Sequence, residues 1–146
     1  MAITNSSLYS GSFDEIKNFI NTNITDPKRR YKKDWIHPSL PNITSQKFDG
    51  YPFIVMTVDV SETNKAFDRS TSNKQFVVRL AIYSDQSLEV DTISDEIISK
   101  FKDETLTNSL SSFKSIELSG SPFSFEIIEG RKIHVREVGI RGIIRL

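Results

Sequence analysis

The sequence contains no cysteine, which excludes disulfide bonds, thiolate nucleophiles and cysteine-ligated zinc or iron–sulfur centres. It contains two histidines, His37 and His134, too few for a multi-histidine metal site. No apolar run approaches the roughly 20 residues that span a bilayer. Residues 1–13 show neither the basic nor the apolar part of a secretory signal. We therefore expect a thiol-free protein of the cytosol that binds no metal and no membrane.

The sequence also lacks a net charge, because 19 basic residues balance 19 acidic ones. A chain without excess positive charge has no general attraction for a polyanion such as nucleic acid. Against this background residues 28–33 stand out, since five of these six residues are Lys or Arg. Asp26 and Asp34 flank the stretch, so the local excess of positive charge is smaller than it first looks.

What is present fits one folded domain, since the chain has 146 residues of which 37% are hydrophobic. Ser12 and Glu15 form a capping-box pattern beside apolar residues at helical spacing, which predicts a helix over 13–24. We expect residues 1–11 to be flexible. Residues 25–50 contain three prolines and are predicted to be a long connection with a short extended piece.

The middle of the chain predicts a hairpin followed by a helix. Apolar and β-branched residues predict strands over 53–60 and 74–84, joined by a long polar loop over 61–73. Residues 87–103 show apolar side chains at helical spacing, with acids near the start and lysines near the end. That charge order complements the helix dipole, so a second helix is predicted there.

The C-terminal part predicts a short strand over 114–119 and a hairpin that turns at Glu129 and Gly130. In the second arm the first apolar residues, Ile133 and Val135, have odd numbers. The later ones have even numbers: Val138, Ile140, Ile144 and Leu146. Because side chains of a strand alternate with a period of two, we expect a bulge or bend near Arg136–Gly139. The order α-β-β-α-β-β-β predicts an α+β domain, with a mostly antiparallel sheet and two main helices packed on one face.

No pattern of catalytic or cofactor-binding residues is visible. The sequence has no nucleophile elbow, no paired zinc-ligand spacing and no glycine-rich phosphate loop. Asp85, Glu89 and Asp91 near the start of the second helix fit helix caps better than calcium ligands, because the central glycine of a calcium loop is missing. His134 lies between two apolar residues of a predicted strand, a position more typical of a surface or hydrogen-bonded histidine than of a general base. We predict no catalysis, no cofactor and no metal.

The basic stretch leaves three interpretations open: a solvated loop, a contact for protein and a contact for nucleic acid. Neighbouring Tyr31 and Trp35 favour a protein contact over nucleic acid, since these residue types are enriched at binding hot spots, although a buried Trp35 could instead anchor the loop. Arg136, Arg141 and Arg145 support a protein contact if their strand lies at a sheet edge. The candidate partner-contact residues are Lys28, Arg29, Arg30, Tyr31, Lys32, Lys33, Trp35, Arg141 and Arg145.

The order of elements resembles the tail terminator proteins of long-tailed bacteriophages, also called tail completion or tail-to-head joining proteins. The resemblance covers roughly residues 13–146: a helix, a Pro-bearing connection, "GYPFIVMTVDV", a polar loop, "FVVRLAIYS", a helix beginning "LEVDTISDEIISKF" and a C-terminal hairpin. It implies a non-enzymatic virion subunit that assembles in the host cytoplasm into a ring, a hexamer in that family, at the head-proximal end of the tail tube. The implied partners are copies of itself, the tail tube protein and the head–tail connector or neck proteins, with DNA only passing through the ring.

Three alternatives remain open at this stage. Head completion and neck connector proteins have similar sizes and sheet-based folds. A small nucleic-acid-binding module would use the basic stretch, and its binding would depend steeply on salt. A generic adaptor would bind protein through a sheet edge.

Overall fold

The computed structural model describes residues 3, 8–30, 35–46, 48, 50–62, 74–110, 112–120, 124–128 and 130–144. In chain order the elements are α1 (Leu8–Asn23), β1 (Ile36–His37), β2 (Phe53–Glu62), β3 (Lys74–Ser84), α2 (Ser87–Lys102), α3 (Glu104–Thr107), β4 (Phe113–Gly120), β5 (Ser124–Ile128) and β6 (Arg131–Ile144). The protein is an α+β domain with a mostly antiparallel sheet and two substantial helices, which confirms the predicted fold class.

The six strands form one sheet in the order β1-β2-β3-β6-β4, and β5 also pairs with β6. β1 is parallel to β2, and every other described pairing is antiparallel. β6 pairs with β3 along one side, and with β5 and then β4 along the other. The prediction that the C-terminal strand lies at a sheet edge is therefore wrong, because strands bind it on both sides.

The main core lies between the two long helices and one face of the sheet. The even-numbered residues of β3 from Phe76 to Ser84 point to this face and are fully buried. Of the six helical residues predicted to be buried, Phe13 is only partly buried. The other five are buried in this core: Ile16, Ile20, Ile93, Ile97 and Phe101. Burying each of these side chains contributes about 1.5–3 kcal/mol relative to exposure. Both helices therefore pack on the same face of the sheet, as predicted.

A second, smaller core covers one end of the opposite face. Tyr51, Phe53 and Ile133 are buried in it, and half-buried neighbours surround them, among them Tyr83. The rings of Phe53 and Tyr83 stack with their centroids 5.0 Å apart and their planes 12° from parallel. At this end the sheet is covered on both sides.

The two cores explain the change of phase in β6 without a bulge. β6 pairs with β3 in one unbroken register, so the bulge predicted near Arg136–Gly139 is wrong. Ile133 belongs to the second core, whereas Ile140 points to the helices on the other face. The register shift of this sheet lies instead in β4, between Lys114 and Glu117, where Ser115 adopts a φ of 55°.

The N-terminal helix also differs from the prediction. α1 begins at Leu8, and Ser12 is a fully buried residue inside the helix, so the capping box predicted for Ser12 and Glu15 is wrong. Ile3 is buried in the main core, although residues 1–11 were expected to be flexible. A helical spacing of apolar residues fixes the buried face of a helix better than it fixes the first turn.

Two connections between elements remain to be described, the one after α2 and the one between β2 and β3. α3 was not predicted; it is a single turn that begins where the Asp103 carboxylate accepts hydrogen bonds from the backbone N–H groups of Thr105 and Leu106. β2 and β3 form the predicted hairpin and pair as far as Glu62 and Lys74. The rest of the polar loop predicted over 61–73 lies outside the described residues.

Candidate protein-interaction surfaces

The basic stretch divides into exposed and buried residues. Lys28 and Arg29 are exposed. The side chain of Arg30, in contrast, is only 7% exposed. Tyr31, Lys32 and Lys33 lie outside the described residues. The structure therefore places two of the five predicted cations at the surface and one inside the protein.

The buried side chain of Arg30 connects the segment after α1 to the start of β2 through hydrogen bonds. Its Nε lies 2.9 Å from Oδ2 of Asp26, and its Nη2 donates a second hydrogen bond to Oδ1 at 3.1 Å. Nη1 donates to the carbonyl oxygen of Gly50 at 3.1 Å, and Nη2 also donates to that of Pro52. The Asp26 carboxylate accepts further hydrogen bonds from the backbone N–H groups of Lys28 and Arg30.

These contacts set the acidity of Asp26. Burial has the largest single influence and alone would raise the pKa of Asp26. The hydrogen bonds from the Arg30 side chain and from the backbone N–H groups of Lys28 and Arg30, with the Arg30 charge, together outweigh burial. The pKa of Asp26 is therefore below its ordinary value, which means that the folded protein favours the ionised carboxylate.

Trp35 anchors the same connection. It is 3% exposed in the main core, and its Nε1 donates a hydrogen bond to Oδ1 of Asn21 on α1 at 3.1 Å. The Arg30 guanidinium carbon lies 5.9 Å from the centre of its ring. The interpretation of Trp35 as a buried anchor is confirmed. The prediction that Arg30 and Trp35 contact a partner needs correction, because both side chains are occupied by contacts within the chain.

The C-terminal arginines lie on different faces of the sheet. Arg141 is exposed on the face opposite the helices, where it stands directly across from Glu117 on β4. Arg136 lies on the helix face and forms an ion pair of 2.9 Å with Asp91 of α2. Arg145 lies outside the described residues. Of these three residues, Arg141 is the one that the structure places on an open surface.

That open surface is the part of the sheet that the second core leaves uncovered. Thr57, Asp59 and Arg79 are exposed on it. A shallow cavity of about 330 Å³ lies among these three residues and Val77. Polar and charged side chains alternate across this face, which is typical of the solvated side of an antiparallel sheet.

The arrangement nearest to a catalytic one lies at the start of α2. Ser84 Oγ donates a hydrogen bond of 2.7 Å to Oε1 of Glu89 and accepts one from the backbone N–H of Gln86. His134 stands across from Ser84 on β6. Ser84 is fully buried, and these two hydrogen bonds place its hydroxyl at the first turn of α2. Among the described residues no group of three or more His, Asp or Glu could hold a metal ion.

An exposed apolar surface lies on the hairpin of β5 and β6. Phe125 is 54% exposed and Ile127 is 72% exposed. They pair with His134 and Lys132, so they point to the helix side of the sheet, beyond the reach of the helices. Lys132 Nζ lies 4.5 Å from the centre of the Phe125 ring. We call Phe125, Ile127 and Lys132 the apolar hairpin.

A groove lies at the other end of the same sheet edge, between β4 and the helical turn α3. Its volume is about 750 Å³. We call it the α3–β4 groove. The apolar residues that line it are Phe101, Phe113, Ile116 and Leu118, and the polar ones include Lys102, Glu104, Thr107, Asn108 and Glu117.

Sequence reasoning missed both of these surfaces. The alternation of residues 123–128 correctly predicted a strand, but periodicity does not say how far a helix covers the strand. The groove depends on α3, a helical turn too short to show a period. The sequence does show that Phe125 and Ile127 lie on the same side of one strand, and this could have indicated the apolar hairpin.

Comparison of the sequence with known proteins assigns no function to these surfaces. No known family matches the sequence, and no curated protein is significantly similar to it. The helices of the described residues are too short or too polar to cross a membrane. The function is therefore inferred from the fold and from the surfaces above.

Proposed function

We propose that this protein is a structural subunit of a bacteriophage virion, a tail terminator that works by binding other proteins. Copies form a ring, most simply a hexamer, that closes the head-proximal end of the tail tube and receives the head connector. The observation that supports this most is the element order: a helix, an anchored connection, a hairpin, a second helix and a C-terminal hairpin. The resemblance to tail terminators rests on that order and implies an α+β subunit that forms a ring.

The exposed surfaces support a protein that binds protein. The apolar hairpin presents two large apolar side chains on a strand whose outer edge no other described strand covers. Soluble proteins usually blunt such an edge with charge, proline or a bulge, so an exposed apolar edge indicates a contact surface. The zero net charge of the chain lets copies pack side by side without strong repulsion.

The first test is the phenotype of particles made without the protein. A ring that stops tube growth must be present for tails to reach a defined length, so its loss should give overlong tubes unattached to heads. Electron microscopy of lysates would show this, and a labelled copy should lie at the tail–neck junction of complete particles. Tails of normal length beside unjoined heads would indicate a head completion protein instead, and a label along the whole tube would also contradict the proposal.

The second test concerns Lys28 and Arg29, the exposed part of the basic stretch. We expect the double substitution Lys28→Glu and Arg29→Glu to leave the fold intact and to reduce head-to-tail joining in extracts. Exposed ion pairs contribute only about 0.2–1 kcal/mol each, so neither single substitution should suffice. Tight, salt-sensitive binding of DNA by the wild-type protein, lost in the double variant, would instead assign this surface to nucleic acid.

A further inference from the structure

We propose that the apolar hairpin of one copy inserts Phe125 and Ile127 into the α3–β4 groove of a second copy. This deepens the proposed function, because it names the contact between ring neighbours, and its biological use rests on that function. The contact itself is a property of the chain and is testable without a virion. Four observations carry it: the unprotected edge, the size of the groove, the charges and the spacing.

The first observation compares the free edges of the sheet. β4 is interrupted by its bulge and exposes the polar side chains of Glu117 and Ser119. β2 is approached by α1, where the Tyr9 hydroxyl donates a hydrogen bond to the carbonyl oxygen of Val60 at 3.4 Å. β5 pairs with β6 without a register shift, and although Glu126 is exposed, two of its five residues are exposed large hydrophobic ones, Phe125 and Ile127. β5 is therefore the edge that is least protected against pairing.

The second observation is the size and lining of the groove. An apolar cavity of about 150 Å³ is large enough to bind benzene. The groove has about 750 Å³, which leaves room for a phenyl ring, a branched aliphatic side chain and the hairpin backbone between them. Its lining is mixed, with polar residues beside the apolar Phe101, Ile116 and Leu118, so insertion would bury the apolar part of the lining together with Phe125 and Ile127.

The third observation is that the charges are complementary. Lys132 lies against Phe125 and would enter the contact with it. Among the lining residues whose side chains the structure describes, Glu104 on α3 and Glu117 on β4 are acidic and Lys102 is basic. These acids outnumber this cation where a lysine from the partner would arrive. Opposite charges at the rim of an apolar contact fix its orientation.

The fourth observation excludes the hairpin of the same chain as the occupant. Phe125 stands across from His134 of β6, and Leu118 stands across from Ile140. Six residues of a strand separate the two positions, which is about 20 Å. A chain therefore cannot fill its own groove, although it carries both complementary surfaces. Contacts between two different surfaces of identical chains are heterologous and continue from copy to copy, giving a ring where the rotation closes and an open filament where it does not.

The decisive experiment uses the absence of cysteine in the natural sequence. In the full chain with Phe125→Cys and Leu118→Cys the introduced thiols are the only ones. A disulfide within one chain is excluded, because bridged Cα atoms lie within about 7 Å of each other. After mild oxidation of concentrated protein we expect a ladder of dimers, trimers and larger species on a non-reducing gel.

The matched control is Phe125→Cys with Leu40→Cys, since Leu40 is 52% exposed and lies in the connection before β2. We expect at least a tenfold lower yield of crosslinked species from this pair. Equal yields would mean random collision and would overturn the proposal. No crosslinking of either pair would also overturn it. Products that stop at the dimer would show reciprocal pairing of two copies and would contradict the head-to-tail arrangement.

A charge exchange tests the orientation of the contact. In the Phe125→Cys, Leu118→Cys background, Lys132→Glu and Glu104→Lys should each lower the crosslinking rate about two- to fivefold, and the combination should restore it. Failure to restore the rate would contradict the predicted orientation. The two proposals can be contradicted separately. If the purified chain gives the crosslinked ladder but the protein is absent from the tail–neck junction, the terminator function is wrong. If the protein lies at the junction but gives no ladder, the proposed contact is wrong.

Discussion

The two faces of the sheet are made by the same strands but are buried in different ways. On the helix face the core runs along nearly the whole of β3, since every even-numbered residue from Phe76 to Ile82 is fully buried. On the opposite face Phe53 is fully buried, whereas the Arg79 side chain is 70% exposed. Alternation along a strand decides which face a side chain joins. What lies over that part of the face decides whether the side chain is buried.

The largest expected effect tests whether the second core is a real source of stability. Phe53→Ala should lower the free energy of unfolding by about 3–5 kcal/mol, because Phe53 is fully buried among aromatic rings. Urea denaturation of the purified chain measures it. Val77→Ala, on the uncovered part of the same face, should cost less than about 1 kcal/mol. Equal losses would show that the two parts of this face do not differ.

The next effect tests the helix face. Ile97→Ala should cost about 2–5 kcal/mol, because Ile97 of α2 is fully buried against the sheet. Leu88 lies on the same helix and is 76% exposed, so Leu88→Ala should change stability by no more than about 0.5 kcal/mol. A loss near zero for Ile97→Ala would mean that α2 packs through another side.

Arg30 lies where the two cores meet. It holds the backbone on both sides of Tyr51, a residue of the second core, and lies beside Trp35 of the main core. Arg30→Met should cost about 1.5–3 kcal/mol, the range for hydrogen bonds to charged groups. Arg29→Met should be nearly neutral, since Arg29 is exposed. Similar losses in the two variants would contradict the structural role of Arg30.

The smallest effect is a difference in pH dependence between two carboxylates. The pKa of Asp26 is below its ordinary value of 3.8, so its contribution to stability is present above that value and is lost as the pH falls towards the folded pKa. Burial raises the pKa of Glu15, although a hydrogen bond with Ser112 opposes it, so Glu15 has the opposite sign and destabilises the fold once ionised.

Unfolding curves between about pH 7 and pH 3 should separate the two carboxylates, since this range includes the ordinary pKa of both. Asp26→Asn should be less stable than the wild type at neutral pH and should lose less stability on acidification. Glu15→Gln should lose more on acidification than the wild type, because it lacks the group that binds a proton more tightly when folded. Parallel curves for all three proteins would contradict both assignments.

The sequence predicted best where a regular pattern and a matching environment coincide. β3 alternates over eleven residues above one continuous core, and α2 carries its apolar stripe with acids first and lysines last, so both were placed almost to the residue. The bulge in β6 was predicted wrongly because an alternation rule assumes one buried face. The role of Arg30 was missed because its partners, the carbonyl groups of Gly50 and Pro52, lie about 20 residues further along the chain.

The position of β6 has a consequence for the order in which the protein folds on the ribosome. β6 is the last described element, yet it lies at the centre of the sheet and pairs residues 50 to 70 positions apart, from Ser84 with His134 to Lys74 with Ile144. During synthesis one edge of the largely apolar strand β3 therefore stays without its full set of partners until Ile144 has left the exit tunnel. Such long-range pairing slows folding, and the exposed edge is a binding site for chaperones or for other nascent chains.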